Sequence, residues 1–124
     1  VSVLLDANAL MMPAQFGVDL FAELEGLLGR CTPFTLRGVV EELVRLSRGG
    51  GRHAAAARVA LRFTDRIPVV ERDGGAVDDR IIDHATETGC LVATNDRDLR
   101  DRLLSRGVGV IAMRQQKRLE LIRR

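Results

Sequence analysis

The spacing of apolar positions changes period several times along the chain, and each change marks an element. Val1 to Leu5 is a short apolar run with two valines, the pattern of a strand buried on both faces of a parallel sheet, and it stops abruptly at Asp6. The stretch after it holds Pro13 and Gly17 and reads as a loop. Asp19 is placed to cap a helix over Leu20 to Leu28, where Phe21, Leu24, Leu27 and Leu28 recur at helical spacing before Gly29. Thr32 to Leu36 is a second short strand, and Arg37 to Ser47 a helix with Val40, Leu43, Val44 and Ser47 on one stripe. Gly49, Gly50 and Gly51 interrupt the chain before an alanine-rich helix over Arg52 to Thr64. Ile67 to Val70 reads as a strand, Asp78 to Thr88 as a helix carrying Ile81, Ile82 and Ala85, Leu91 to Thr94 as a strand, Arg97 to Arg106 as a helix, and Val108 to Ala112 as a last clear strand. The tail from Met113 is basic, with Leu119 to Ile122 suited to a short edge element. Strands alternating with helices in this way predict an α/β sandwich with a mostly parallel sheet.

Length and composition bound the problem. The 124 residues are 46% hydrophobic, one domain's worth of sequence with enough apolar surface for a core. No apolar stretch is long enough to span a bilayer, so no membrane partner is expected. No secretory leader pattern opens the sequence, and Cys31 and Cys90 read as reduced, small hydrophobes, so a cytoplasmic setting is expected. Without Trp or Tyr, an aromatic platform for single-stranded nucleic acid is excluded as the main design. His53 and His84 are the only histidines and read as surface residues, and no His-Glu-x-x-His or Cys-x-x-Cys zinc pattern occurs.

Sorting the acids by position yields a constellation. In open parallel α/β sheets, ligands bind beyond the carboxyl ends of the strands. Asp6 ends the first strand there, and Asn95, Asp96 and Asp98 follow a later one. Glu42 lies three residues after Val39 and four before Leu46, on the flank of the inward stripe, whereas Glu41 falls among arginines and reads as solvated. Asp78 precedes Ile81, Ile82 and Ala85 at helical spacings, while Asp79 leads to the polar edge at Asp83 and Glu87; either serves if the helix begins one residue later. Asp6, Glu42, Asp78 and Asp96 therefore point at least partly inward. Clustered carboxylates repel one another, so a cation must compensate. An all-oxygen set with Asn8 and Thr94 nearby suits Mg²⁺ or Mn²⁺, and such a set suits phosphoryl chemistry.

Val3-Leu-Leu-Asp6-Ala-Asn8, Val39-Val-Glu-Glu42-Leu43, Asp78-Asp79 opening a helix that reaches Ala85, and Ala93-Thr94-Asn95-Asp96-Arg97-Asp98-Leu99 together resemble the PIN domain of metal-dependent ribonucleases, in order and spacing across essentially the whole chain. The Thr-Asn-Asp-x-Asp-Leu segment and the closing Arg114-Gln-Gln-Lys-Arg-Leu119 resemble archaeal PIN proteins related to small-subunit rRNA-processing nucleases more than the bacterial toxin type. The resemblance implies a single domain over residues 1–124, a three-layer sandwich around a sheet of about five parallel strands. It also implies hydrolysis of RNA to 5′-phosphate and 3′-hydroxyl ends, with one or two Mg²⁺ or Mn²⁺ ions. Asp6, Glu42, Asp78 and Asp96 would then be the catalytic metal-binding carboxylates, with Asn8, Asp79, Thr94 and Asp98 in supporting positions. Implied partners are RNA, a second copy of the chain, and either an antitoxin or a ribosome-assembly factor.

Plainer roles stand beside these. Asp78 and Asp96 begin helices, where capping alone explains an aspartate, and Glu42 could pair with Arg45 or Arg48. Arg45, Arg48 and Arg52, with His53, Arg58 and Arg62, form either a rim for RNA phosphates or a solvated helix face. A non-catalytic RNA-binding scaffold remains an alternative. A phosphoacceptor signalling domain would want a lysine at the end of a late strand, and none precedes Lys117. The net charge of +2 conceals segregation: residues 1–36 carry −3, 37–66 carry +4, 71–101 carry −5 and 102–124 carry +6. Eighteen of the nineteen cations are arginine, so anion contacts would be made by planar forks.

Overall fold

The computed structural model describes residues 1–123. Its elements run β1 (Ser2–Leu5), α1 (Ala7–Phe16), α2 (Leu20–Leu28), β2 (Thr32–Leu36), α3 (Arg37–Ser47), α4 (Gly51–Thr64), β3 (Val69–Val70), α5 (Val77–Thr88), β4 (Leu91–Ala93), α6 (Arg97–Ser105), β5 (Val110–Arg114) and β6 (Arg118–Ile122). They build one sheet in the order β3-β2-β1-β4-β5-β6, parallel except for the last pair. The first strand thus lies at the centre, with Val3, Leu4 and Leu5 fully buried between β2 and β4. Helices α1, α3 and α4 pack together on one face, while α5 and α6 pack with each other on the opposite face. No helix among the described residues is long and apolar enough to cross a membrane.

Three expectations are corrected. The stretch after Asp6 is not a loop: Asp6 caps a ten-residue helix, accepting from the Ala9 amide at 2.7 Å. Ala7, Ala9, Leu10, Met11 and Met12 are all buried, and α1 packs closely on α4, so the apolar face overrides the helix-breaking Pro13. Gly17 ends α1 in the left-handed region (φ 68), its amide donating to the Pro13 carbonyl at 2.9 Å. Pro13 and Gly17 therefore mark a helix interior and its end.

The sheet also has six strands and not about five, because the basic tail turns back as an antiparallel edge, the element that Leu119 to Ile122 suited. Leu119 supplies the reason: it is buried, and its amide donates to the Glu23 carboxylate of α2 at 3.3 Å. Of the histidines, His53 is exposed as expected, but His84 is half-buried. It lies 5.6 Å from the Phe34 ring, and its Nδ1 lies 3.2 Å from Arg72. Desolvation and the Arg72 charge lower its pKa.

Candidate active site

All the parallel strands deliver their carboxyl ends to one edge of the sheet, and Asp6 stands at its middle. It is 6% exposed, and its amide bonds the Ala93 carbonyl of β4 at 3.3 Å. Its carboxylate takes the α1 amide of Ala9 and the hydroxyl of Thr94. Thr94 is itself fully buried, and its Oγ1 accepts the Asp96 amide at 3.0 Å, so one hydroxyl links the central acid to the loop bearing the next. On the other side Thr35 of β2, also fully buried, donates to the Leu5 carbonyl at 2.7 Å and pins the strand end just before Asp6.

Burial dominates the ionisation of Asp6. Desolvation pushes its pKa from 3.8 up to about 7, against the two hydrogen bonds, and the charges of Asp78 and Asp96 add to the rise. Half-buried Glu42 on α3 is likewise raised, by burial and then by Asp78, with Arg45 opposing and Asp96 adding. Asp78 on the first turn of α5 is raised by burial and then by Asp96, with Arg102 opposing. Four acids from α3, α5 and the ends of β1 and β4 therefore share one electrostatic field.

The structure separates the Asp78–Asp79 pair. Helix α5 begins at Val77 with Ala76 at its cap, so Asp78 caps nothing with its side chain. Asp79 is exposed and held by Arg102 at 2.6 Å, which turns it toward α6 and leaves Asp78 facing the other acids' field. Asp96, by contrast, does cap: it accepts the Leu99 amide at 3.1 Å at the start of α6, and it is exposed where an inward orientation was expected, because the cap holds it at the helix end. Glu42 forms no ion pair with Arg45 or Arg48 among the described residues.

The remaining candidates are more peripheral. Asn8 is exposed on the first turn of α1, and Asp98 is exposed on the first turn of α6. Arg45, Arg48 and Arg52 are exposed around the α3–α4 junction, and only Arg45 contributes to the field at Glu42. Sequence reasoning missed the positioning groups Thr35 and Asn95. Asn95 Oδ1 accepts the Met113 amide at 2.8 Å and ties the Asp96 loop to β5. A threonine set between Phe34 and Leu36 in the buried half of β2 is the signal that could have marked Thr35.

No three carboxylates among the described residues stand close enough together to chelate one ion. The donor set nevertheless fits Mg²⁺ or Mn²⁺, since Mg²⁺ keeps several waters and is held through one or two carboxylates. Arginine compensation is partial: Arg45 opposes the rise at Glu42 and Arg102, engaged by Asp79 at 2.6 Å, opposes it at Asp78, while no arginine is among the causes at Asp6. The described clefts lie elsewhere; one of about 530 Å³ is lined by Val18, Phe21, Pro33, Phe63 and Ile67 among others.

A parallel sheet with acids gathered from four elements at its carboxyl edge is the architecture of a PIN-like domain. A family model described as "PIN like domain" matches residues 3–116, and the chain belongs to that family. Ribonuclease VapC9 of Archaeoglobus fulgidus is 33% identical over 69 residues, covering 56% of this chain and 50% of that protein, so the match spans half the relative's length. Ribonuclease VapC4 of Methanocaldococcus jannaschii is 28% identical over 123 residues, covering 94% and 92%. The solved PIN domain endonuclease Utp24 superposes with a TM-score of 0.80 at 27% identity, over 99% of this chain and 92% of that one. VapBC2 from Rickettsia felis, solved bound to a DNA fragment from their promoter, gives a TM-score of 0.64 at 14% identity over 90% and 98%, a likeness of fold alone.

Proposed function

We propose that residues 1–124 act as a single nuclease domain that hydrolyses RNA phosphodiester bonds with Mg²⁺ or Mn²⁺. The observation that carries this reading is the buried Asp6, its pKa raised to about 7 amid the charges of Asp78 and Asp96. A carboxylate kept so poorly compensated beside two others favours a divalent cation far more than a purely structural role does. Asp6, Glu42, Asp78 and Asp96 would hold one or two ions, and the near-full-length similarity to a ribonuclease supports RNA as substrate. When bound, such an ion acidifies water and neutralises charge on the scissile phosphate. Thr94 keeps Asp6 oriented and part-ionised, and Asn95 fixes the Asp96 loop against β5. Asp79 holds Arg102 out of the acid cluster, close enough to moderate Asp78. Asn8 and Asp98, exposed on either side, would position water or substrate.

Mn²⁺-dependent cleavage of a labelled RNA tests the proposal. Wild-type protein should cleave and Asp96→Asn should not, while keeping a folded circular-dichroism spectrum; full activity in that variant or in excess EDTA refutes it. A toxin role with an antitoxin partner draws support from the two VapC relatives, and a processing role among ribosome-assembly factors from the likeness to Utp24. Toxicity on expression that a co-expressed neighbouring gene relieves would select the first.

A further inference from the structure

The turn between β5 and β6 is built from residues that suit it badly. The Lys117 amide donates to the Arg114 carbonyl at 3.1 Å, closing a turn whose central residues, Gln115 (φ 54) and Gln116 (φ 59), are both left-handed. That signature is normally filled by Asn-Gly or Gly-Gly, because a side chain there crowds the following carbonyl. They are the only non-glycine residues with positive φ among those described. Arg114 and Arg118 are direct cross-strand partners at the mouth of the turn, so like charges face each other where opposite ones would stabilise. Among the described residues, the relief is Arg114 leaning on Glu120 at 3.7 Å. Every residue from Arg114 to Arg118 is exposed.

Position gives these unfavourable choices a purpose. Strand β5 is parallel to β4, so the turn leaves the same edge of the sheet that carries the acids. The residue before it, Met113, is bonded through its amide to Asn95, the neighbour of Asp96. With strands about 4.8 Å apart, the turn lies one to two strand spacings from the Asp96 loop, within reach of nucleotides flanking a phosphate held there. A local rule broken three times beside a candidate site is the pattern left when function selects the residues.

We infer that the Arg114–Arg118 turn is the arm that holds the RNA strand beside the acidic site, with Arg114, Lys117 and Arg118 on phosphates and the Gln115 and Gln116 amides on base edges. The inference rests on the nuclease reading, and it assigns substrate grip to a segment outside the carboxylate cluster. Phosphate contacts set register while amides can reach paired donor and acceptor groups on a base. A solvated edge that merely discourages strand pairing would need the charges but not two strained glutamines.

Two double variants test it. Gln115→Asn with Gln116→Gly should raise the melting temperature yet weaken binding of a fluorescein-labelled single-stranded RNA about three- to tenfold, read by anisotropy in an Asp6→Asn background that cannot cleave. Lys117→Ala with Arg118→Ala should flatten the slope of log affinity against log salt by about 1.4, the amount for two single-strand phosphate contacts. In the wild-type background both should lose RNA cleavage through KM while hydrolysing bis(4-nitrophenyl) phosphate, a small diester that needs only the acidic site, at the wild-type rate. Unchanged RNA affinity and salt slope in both variants overturn the inference. If wild-type protein hydrolyses neither substrate the nuclease reading falls instead, and the anisotropy comparison still decides whether the turn binds RNA.

Discussion

Replacing Asp6 by Asn should make the metal-free protein more stable and the enzyme inactive, and the stability gain should depend on pH. In the folded chain the carboxyl titrates near 7 against an ordinary 3.8, so the folded state holds its proton more tightly than the unfolded state does. Stability linked to this group is fully present below 3.8 and is lost as pH rises through 7. Three units correspond to about 4 kcal/mol, an upper figure because Asp6, Asp78 and Asp96 titrate as a coupled set. Asn mimics the protonated acid, keeps an oxygen for the Ala9 amide, and is as good a helix cap as Asp. At pH 8 without metal, Asp6→Asn should therefore melt on the order of 10 °C above wild type, at about 4 °C per kcal/mol for a chain of this size. At pH 4 the gap should nearly close. Added Mn²⁺ should raise the wild-type melting temperature at pH 8 by more than the variant's, since the variant lacks the central carboxylate of the set. Differential scanning fluorimetry at the two pH values reads all of this. A folded variant that melts at or below wild type at pH 8 would refute the claim that burial of this charge strains the fold.

Other perturbations separate the supporting roles. Thr94→Val removes the hydroxyl that lowers the Asp6 pKa and leaves the Asp96 amide unpaired, so the acid limb of the pH–rate profile should move to higher pH, with about 1–3 kcal/mol lost in urea melts. Arg102→Ala frees Asp79 and removes the cation that holds Asp78 down, so activity should also need higher pH while thermal stability barely changes, the pair being exposed. Pro13→Ala restores a helical amide within α1 and should raise stability by about 1–2 kcal/mol, once the stiffening that proline gives the unfolded chain is discounted; an unchanged urea midpoint would count against the helix.

Where local pattern and tertiary packing agree, the chain reads directly as structure: Leu20–Leu28, Thr32–Leu36 and Arg37–Ser47 form over the bounds their periodicity implies. Pattern misled where punctuation and packing conflict. Pro13 and Gly17 look like a loop, and it is the burial of Leu10 and Met12, on a helix that packs chiefly against α4, that turns the segment into a helix. Phase along a helix favoured Asp78 over Asp79, but what separates them is Arg102, on a helix that begins eighteen residues after Asp79. Thr35 and Asn95 act through hydrogen bonds to Leu5 and Met113, partners that no local spacing reveals. Arginines were legible as charge but not as surface, because the sequence does not say which side of α3 and α4 faces the acids.

The central position of β1 has a consequence for synthesis. The strand that carries Asp6 is the first of the described chain to be made, yet it is completed only by Thr32–Leu36 on one side and Leu91–Ala93 on the other. Chains emerge at about 5–20 residues per second, so several seconds separate the making of Asp6 from the arrival of Thr94 and Asp96 beside it. Throughout that interval the acids are scattered along an unfinished chain with no common field. The acidic edge of this fold therefore comes together late, only once the chain has been made through Asp96 and β4 can join the central strand.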